Sequence, residues 1–378
     1  MQNQTRWMRW GGVSAGALLL ACTAHASVQP EQPAAPGEPA GDARPAERPD
    51  GGASAENKPL EGEMTPELDA AIERGLAFLA SEQNDDGSFG SGRFGKNIAV
   101  TALAGIAMMA DGNLPGRGPY GKQVEKGLEF VLRSSTETGL LASDSTNGPM
   151  YGHGFAALFL GEVYGMTSGG GETPHAARVH EALVKACRLI EQSQNPDGGW
   201  RYNPVPYDAD VSVTICQIMA LRSARNAGIE VPREVIDKAV EYVRLCQNPD
   251  GGFRYQLNQG YSAWPRSAAG VASLYYAGIY KDDAIDKGVE YLRNTALPGA
   301  TNAPSAHYFY GHYYAVQAMY LAGGRPWAEW WPAIRKELLD RQADDGSWAD
   351  QSVGPAYGTA MALIILQMPK RLLPIFQK

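Results

Sequence analysis

Two kinds of apolar pattern alternate along residues 65–365. In the first, apolar residues recur every three or four positions with charged residues between them. It covers residues 66–83, 121–135, 176–194, 232–247, 282–295 and 327–342. In the second, apolar and small residues run almost unbroken over 98–110, 153–166, 211–227, 267–280, 312–322 and 358–366. A helix with one charged face lies at a surface, whereas a helix apolar on all sides is buried. Period-two alternation, the mark of a half-buried strand, is essentially absent. The pattern predicts an all-α chain of about twelve main helices, outer and inner in turn.

The pairs are related in sequence. SQNPDGGWRY (193–202) and CQNPDGGFRY (246–255) share eight of ten residues, 53 positions apart. The same order recurs in RGLAFLASEQNDDGSF (74–89) and RKELLDRQADDGSW (335–348), and in weaker form from Lys126 and Lys287. It reads as a basic residue, a small residue, an apolar face, Gln, a Gly turn and an aromatic. The Gln position falls at Gln83, Ser135, Gln194, Gln247, Ala296 and Gln342, with spacings of 52, 59, 53, 49 and 46. Self-similarity at such a period marks a repeat architecture. An open array leaves its end repeats uncapped. Here the chain ends in apolar LLPIF (372–376), which is expected to pack on the first unit. A closed α/α toroid, an (α/α)6 barrel, follows, with inner-helix ends facing a central cavity. Asp-Gly makes each turn because Gly tolerates positive φ. Gln194 and Gln247 satisfy backbone groups at helix ends, and Trp200 and Phe253 pack between units.

Composition adds a location. Residues 1–26 read as an export signal: Arg6 and Arg9 precede a short apolar run from Val13 to Ala21, too short to span a bilayer. Leu19-Leu20-Ala21-Cys22 resembles a bacterial lipobox, which would leave Cys22 as a lipidated N-terminus. Ala24-His25-Ala26 is the competing site for ordinary secretion. The expected product is a lipid-anchored protein of a bacterial cell envelope, or a periplasmic one. Residues 27–62, rich in Pro, Ala, Gly and Glu, form a disordered tether, and residues 63–378 form the toroid domain. A net charge of −8 and the lack of basic clusters exclude a nucleic-acid partner. Cys187, Cys216 and Cys246 lie in apolar helical patterns and read as small buried hydrophobes rather than a disulfide framework.

The unit running from Arg74-Gly75 through Phe78-Leu79 and Gln83 to Gly87-Ser88-Phe89 resembles the QW repeat of squalene-hopene and oxidosqualene cyclases. The six-hairpin ring also resembles the β subunits of protein prenyltransferases. With its export signal and YGHGFAALFL segment, the chain looks most like the bacterial prenyltransferase/squalene-cyclase-repeat proteins. The resemblance covers nearly all of residues 65–378. It implies a toroid with a central cavity for an apolar or isoprenoid-like molecule.

Candidate chemistry clusters at the inner-helix starts. Tyr151, Asp210 and Tyr310 are expected in one register, and His153, Ser212 and His312 in another. Asp208-Ala209-Asp210-Val211-Ser212 is similar to the cyclase acid motif, in which the middle Asp protonates an alkene. Asp210 takes that place, with Asp208 before it, but Val211 replaces the final acid. The alternative for both carboxylates is capping and turn formation. Trp264, Arg266 and Tyr357 complete the expected cavity set, Arg266 being placed to meet an anion. No cofactor or metal is assigned; His153 and His312, or His312 with Asp208 and Asp210, are the ligand sets the register would offer a metal. Three functional readings result. The first is an exported protein that binds an apolar or isoprenoid-like ligand without standard polyene cyclisation. The second is a terpene cyclase or prenyltransferase-like enzyme using Asp210. The third is an envelope scaffold docking a protein through Trp327, Trp330 and Trp331. Cys22→Ser should move the protein from the membrane to the soluble fraction on cell fractionation; retention on the membrane would exclude lipidation at Cys22.

Overall fold

The computed structural model describes residues 61–143, 148–167, 175–258, 260–300 and 307–377. The expected export signal, Cys22 and all but the end of the tether lie outside these residues. Among those described are twelve principal α-helices and no strand. The outer helices are α1 (Pro66–Ser81), α3 (Gly121–Arg133), α5 (Ala176–Ser193), α7 (Arg233–Leu245), α9 (Asp283–Ala296) and α11 (Gly324–Arg341). The inner ones are α2 (Ile98–Met109), α4 (Met150–Thr167), α6 (Val211–Asn226), α8 (Trp264–Tyr276), α10 (Tyr308–Ala322) and α12 (Pro355–Leu366). In α1 the buried positions are Leu68, Ala71, Ile72, Gly75, Leu76 and Leu79, one face of an α-helix. In α2 eleven of twelve residues are buried, because that helix has neighbours on every side. No described helix is long and apolar enough to cross a membrane.

The inner helices close a ring. Each packs on the next, α2 on α4, α4 on α6, α6 on α8, α8 on α10 and α10 on α12, and α12 returns to α2. The fold is therefore the closed toroid expected from the repeats.

The repeated Gln is the joint of that ring. Its side-chain amide donates twice: once to the carbonyl of its own Gly turn and once to a carbonyl of the next unit's outer helix. Gln83 reaches Gly87 at 3.0 Å and Gln123 at 2.9 Å. Gln194 reaches Gly198 and Val235, both at 2.8 Å. Gln247 reaches Gly251 at 2.9 Å and Ala284 at 2.8 Å. Gln342 of the last unit reaches Gly346 at 3.0 Å and Ala71 of the first at 2.8 Å, so the closing joint repeats the internal ones.

The Gly of each turn is required twice over. Gly198 has φ of 100°, and a Cβ on it would stand 2.2 Å from the Lys238 carbonyl. Gly346 has φ of 89° and faces the Arg74 carbonyl in the same way. The basic residues Arg74, Lys126, Lys185, Lys238 and Lys287 thus pack their backbones on the turn before them, at Gly346, Gly87, Gly139, Gly198 and Gly251.

The aromatic after the turn is held by the following inner helix. Trp200 N–H donates to Thr214 Oγ1 at 3.1 Å and Trp348 N–H to Thr359 Oγ1 at 3.0 Å. Phe89 and Phe253 donate likewise to Thr101 and Ser267. Both indole N–H groups are also satisfied, by Ile190 and Leu338 carbonyls.

Two expectations are corrected. The 372–376 stretch reaches the first unit at Leu372, beside Gly112 just after α2, but its final turn lies elsewhere. The preceding segment does touch α2, where Gln367 donates to the Ala107 carbonyl and Lys370 pairs with Asp111. The final turn, Pro374–Phe376, then packs on α4 and α6, where Ile375 N–H donates to Glu162 Oε2 at 3.1 Å. The Trp327, Trp330 and Trp331 cluster is no docking surface, since all three are buried. Trp327 stacks on Trp331 and donates to Glu63 at 2.6 Å.

Loss of the amide leaves the turn carbonyl without its donor and removes the tie to the neighbouring helix, whose carbonyl keeps its own helical N–H, at about 1–3 kcal/mol for the unsatisfied group. Gln342→Ala and Gln194→Ala should therefore lower stability to a similar degree in urea unfolding. A much smaller loss at Gln342 would show that the ring is closed by something other than this joint.

Candidate functional site

Six inner helices place their N-termini on one side of the ring, and the first turns surround a cavity of about 1370 Å³. One residue from each inner helix meets it at the equivalent position: Ala99, Tyr151, Ser212, Pro265, Tyr310 and Tyr357. One turn deeper stand Leu103 and Phe155. Trp264 and Arg266 line it on the α8 side, and the exposed residues Asn203 and His307 mark where it meets solvent. Tyr310 donates to the Ser212 carbonyl at 3.1 Å, tying α10 to α6 across the ring.

Five of the sequence candidates line this space: Tyr151, Trp264, Arg266, Tyr310 and Tyr357. The guanidinium of Arg266 donates to the carbonyls of Phe253 at 3.0 Å and Tyr261 at 2.5 Å, which holds the loop before α8.

His153 and His312 do not line it. Both are buried between inner and outer helices. They occupy the fourth and fifth positions of their helices, the seat held elsewhere by Thr101, Thr214, Ser267 and Thr359. His153 Nδ1 accepts from Leu141 N–H at 3.1 Å, as those hydroxyls accept from the aromatic N–H, and Nε2 lies 3.3 Å from the Ala186 carbonyl. His312 packs among the rings of Trp264, Tyr308 and Trp330. Burial lowers their pKa values from 6.5 to about 4 and about 3, so both are neutral at neutral pH. The expected register was two residues off: Ser212 matches Tyr151 and Tyr310, and the histidines match each other in a structural seat. Among the described residues no group of three His, Cys, Asp or Glu side chains is placed to hold a metal.

Asp210 sits behind the cavity wall rather than in it. It is fully buried and caps α6, Oδ1 accepting from Val213 N–H at 2.9 Å, as Asn97 caps α2. Its other oxygen accepts from the hydroxyl of Tyr255 at 3.2 Å. Arg201 Nε lies 3.7 Å away, and the same guanidinium pairs with Asp208. Tyr255 in turn touches the hydroxyl of Tyr202, and both tyrosine rings line the cavity.

Arg201, Tyr202 and Tyr255 were not singled out from the sequence, yet the signal was present. The identity of 193–202 with 246–255 runs past the turn into Arg201-Tyr202 and Arg254-Tyr255. Turn geometry explains Gln, Asp and Gly, but gives no reason for a shared Tyr.

Desolvation raises the pKa of Asp210 from 3.8 to about 6, against the pull of the Val213 N–H, Tyr255 and Arg201.

No family model matches the chain. Solved structures with a similar fold include the type II terpene cyclase MstE from Scytonema, 18% identical with a TM-score of 0.57, covering 82% of this chain and 100% of that one. The α-1,6-mannanase GH76A of Salegentibacter sp. HEL1_6 superposes with a TM-score of 0.61 at 9% identity, covering 81% of this chain and 99% of that one. This is the α/α toroid. Such likeness carries the fold and not the activity. In sequence, a drimenyl diphosphate synthase of Streptomyces showdoensis is 27% identical over 195 residues, 50% of this chain. A second, from Streptantibioticus cattleyicolor, is 26% identical over 193 residues. The matches span about a third of the length of these curated relatives, 33% and 32%.

A carboxyl whose folded pKa is raised stabilises the fold fully below its unfolded pKa and loses that contribution as pH rises through the folded value. The stability of the wild type relative to Asp210→Asn, which keeps the cap, should therefore fall between about pH 4 and about pH 6 and level off above. Urea midpoints measured across that range check it; a difference that rises with pH would mean that Arg201 and Tyr255 outweigh burial.

Proposed function

We propose that this chain holds an elongated apolar ligand of isoprenoid type in its central cavity, and that it does not cyclise that ligand by the polyene route. The observation that carries the reading is the position of Asp210, enclosed behind a cavity lined mainly by aromatic and aliphatic groups. A volume of about 1370 Å³ exceeds the roughly 300–1,000 Å³ of ordinary small-ligand pockets, and suits a long molecule. The toroid alone does not select this class, since a mannanase shares it. The lining is mixed: Leu103, Phe155, Trp264 and the tyrosine rings offer the apolar faces that favour this class, with Asn97, Ser262, Arg266 and Thr295 among them. MstE has been solved with geranylgeranyl dihydroxybenzoate, which is in keeping with an isoprenoid occupant.

Protonating an alkene requires a carboxylic acid that keeps its proton and touches the substrate. Desolvation raises the Asp210 pKa to about 6 against the Val213 N–H, the Tyr255 hydroxyl and Arg201, so the group is still a carboxylate at neutral pH, and what the cavity meets in its place is a phenol, a far weaker acid. The drimenyl diphosphate synthases among the relatives favour the second reading, an enzyme that uses Asp210. The export signal and Cys22 support a location at the cell envelope.

Protein purified without detergent should release an isoprenoid lipid on organic extraction, read by mass spectrometry. Added farnesol should quench tryptophan fluorescence, and Ser212→Trp, which fills the cavity, should abolish farnesol uptake measured by equilibrium dialysis. Uptake unchanged in that variant would place the ligand elsewhere. A cyclised product after incubation with a linear polyene, lost in Asp210→Asn, would establish the enzyme reading instead.

A further inference from the structure

We propose that the occupant's polar end is a hydrogen-bond donor, that of an isoprenoid alcohol rather than an ether or a carbonyl compound, and that the phenol oxygen of Tyr202 receives it. The inference rests on the cavity being a ligand site and adds which chemistry the relay of Asp210, Tyr255 and Tyr202 selects.

Asp210 accepts at Oδ1 from the Val213 N–H and at Oδ2 from the Tyr255 hydroxyl, with a guanidinium nitrogen 3.7 Å away. Surrounded by donors, it is an acceptor at both oxygens. Tyr255 has one hydroxyl proton, and that proton points at Asp210. In the contact between the two phenols, Tyr255 can then only accept, so Tyr202 donates. The proton of Tyr202 is thereby engaged as well. What Tyr202 retains for the cavity is its lone pairs. A partner with an O–H is bound there; a partner with only lone pairs meets lone pairs.

The direction of the relay is set at its far end, by the cap of α6. That makes it reversible by one atom. In Asp210→Asn the side-chain oxygen still takes the Val213 N–H, since Asn is an equal cap. The amide nitrogen then faces Tyr255 and donates to it. Tyr255 donates to Tyr202, and the proton of Tyr202 turns to the cavity. Arg201 keeps Asp208 as its partner.

The test is equilibrium dialysis of farnesol, farnesyl methyl ether and farnesal against the folded protein, with circular dichroism of each variant as a check on folding. Wild type should bind farnesol about three- to tenfold more tightly than the other two, the worth of one net hydrogen bond. Tyr202→Phe should bring the three affinities together by weakening farnesol alone. Asp210→Asn should bring them together the opposite way, by strengthening the ether and the aldehyde. Equal affinity of wild type for farnesol and its ether overturns the inference while leaving the cavity a ligand site. Failure of all three to bind overturns the ligand site and the inference with it. If Asp210→Asn does not fold, the Tyr202→Phe comparison decides alone.

Discussion

The toroid depends on one side-chain amide used repeatedly. Packing of apolar helices brings the units together, but apolar contact is non-directional and does not fix how far each hairpin turns relative to the last. The repeated Gln does. Its amide reaches a carbonyl of its own turn and a carbonyl of the neighbouring helix, within 2.8–3.0 Å at Gln83, Gln194, Gln247 and Gln342. A carboxylate at that position has no proton to offer two carbonyls. The Gly behind it lets the neighbouring backbone approach to a distance that any Cβ would forbid. Angle and spacing are thus set by the same few residues at four of the six joints, while Ser135 and Ala296 hold the Gln position at the other two.

That rigid ring holds the inner-helix first turns at fixed positions around the cavity, so what varies between units is which side chain each turn presents. Ala99, Ser212 and Pro265 leave room; Tyr151, Tyr310 and Tyr357 fill it with phenol rings. Asp210 is the exception that needs explanation, since a buried carboxyl is costly. Its cost is offset in part by three partners that each serve another purpose. Val213 N–H starts α6, Arg201 holds Asp208, and Tyr255 connects to Tyr202. A carboxylate that only capped the helix would not require the tyrosine pair.

The fold was legible in the sequence because its signal is repeated. All six amphipathic and all six apolar segments became helices at the expected places, and the turn residues did what their chemistry demands. The site was less legible, for a specific reason. Matching positions in a repeat share a structural role before they share a functional one. His153 and His312 match because both fill the seat that Thr or Ser fills elsewhere, so their likeness pointed into the core and not into the cavity. Four of the inner helices begin earlier than the hydrophobic run suggests, at Met150, Trp264, Tyr308 and Pro355, because polar and aromatic residues of the first turn face the cavity and interrupt the apolar pattern. Conversely, the shared Arg-Tyr after two of the turns was hidden by the motif in front of it. Where a stretch is explained so well by turn geometry, the residues left unexplained at its end carry the information.

The joint between Gln342 and Ala71 has a consequence for the order of the chain. It is chemically the same as the joints inside the sequence, and Glu63 lies beside Arg371 and Trp327, so the two ends of the domain meet. The ring has no structural beginning. A gene rearranged to start at a different hairpin, with the present ends linked, encodes the same set of contacts in the same places. Evolution could therefore have opened this circle at any unit, and relatives of the fold need not share a starting point to share a cavity.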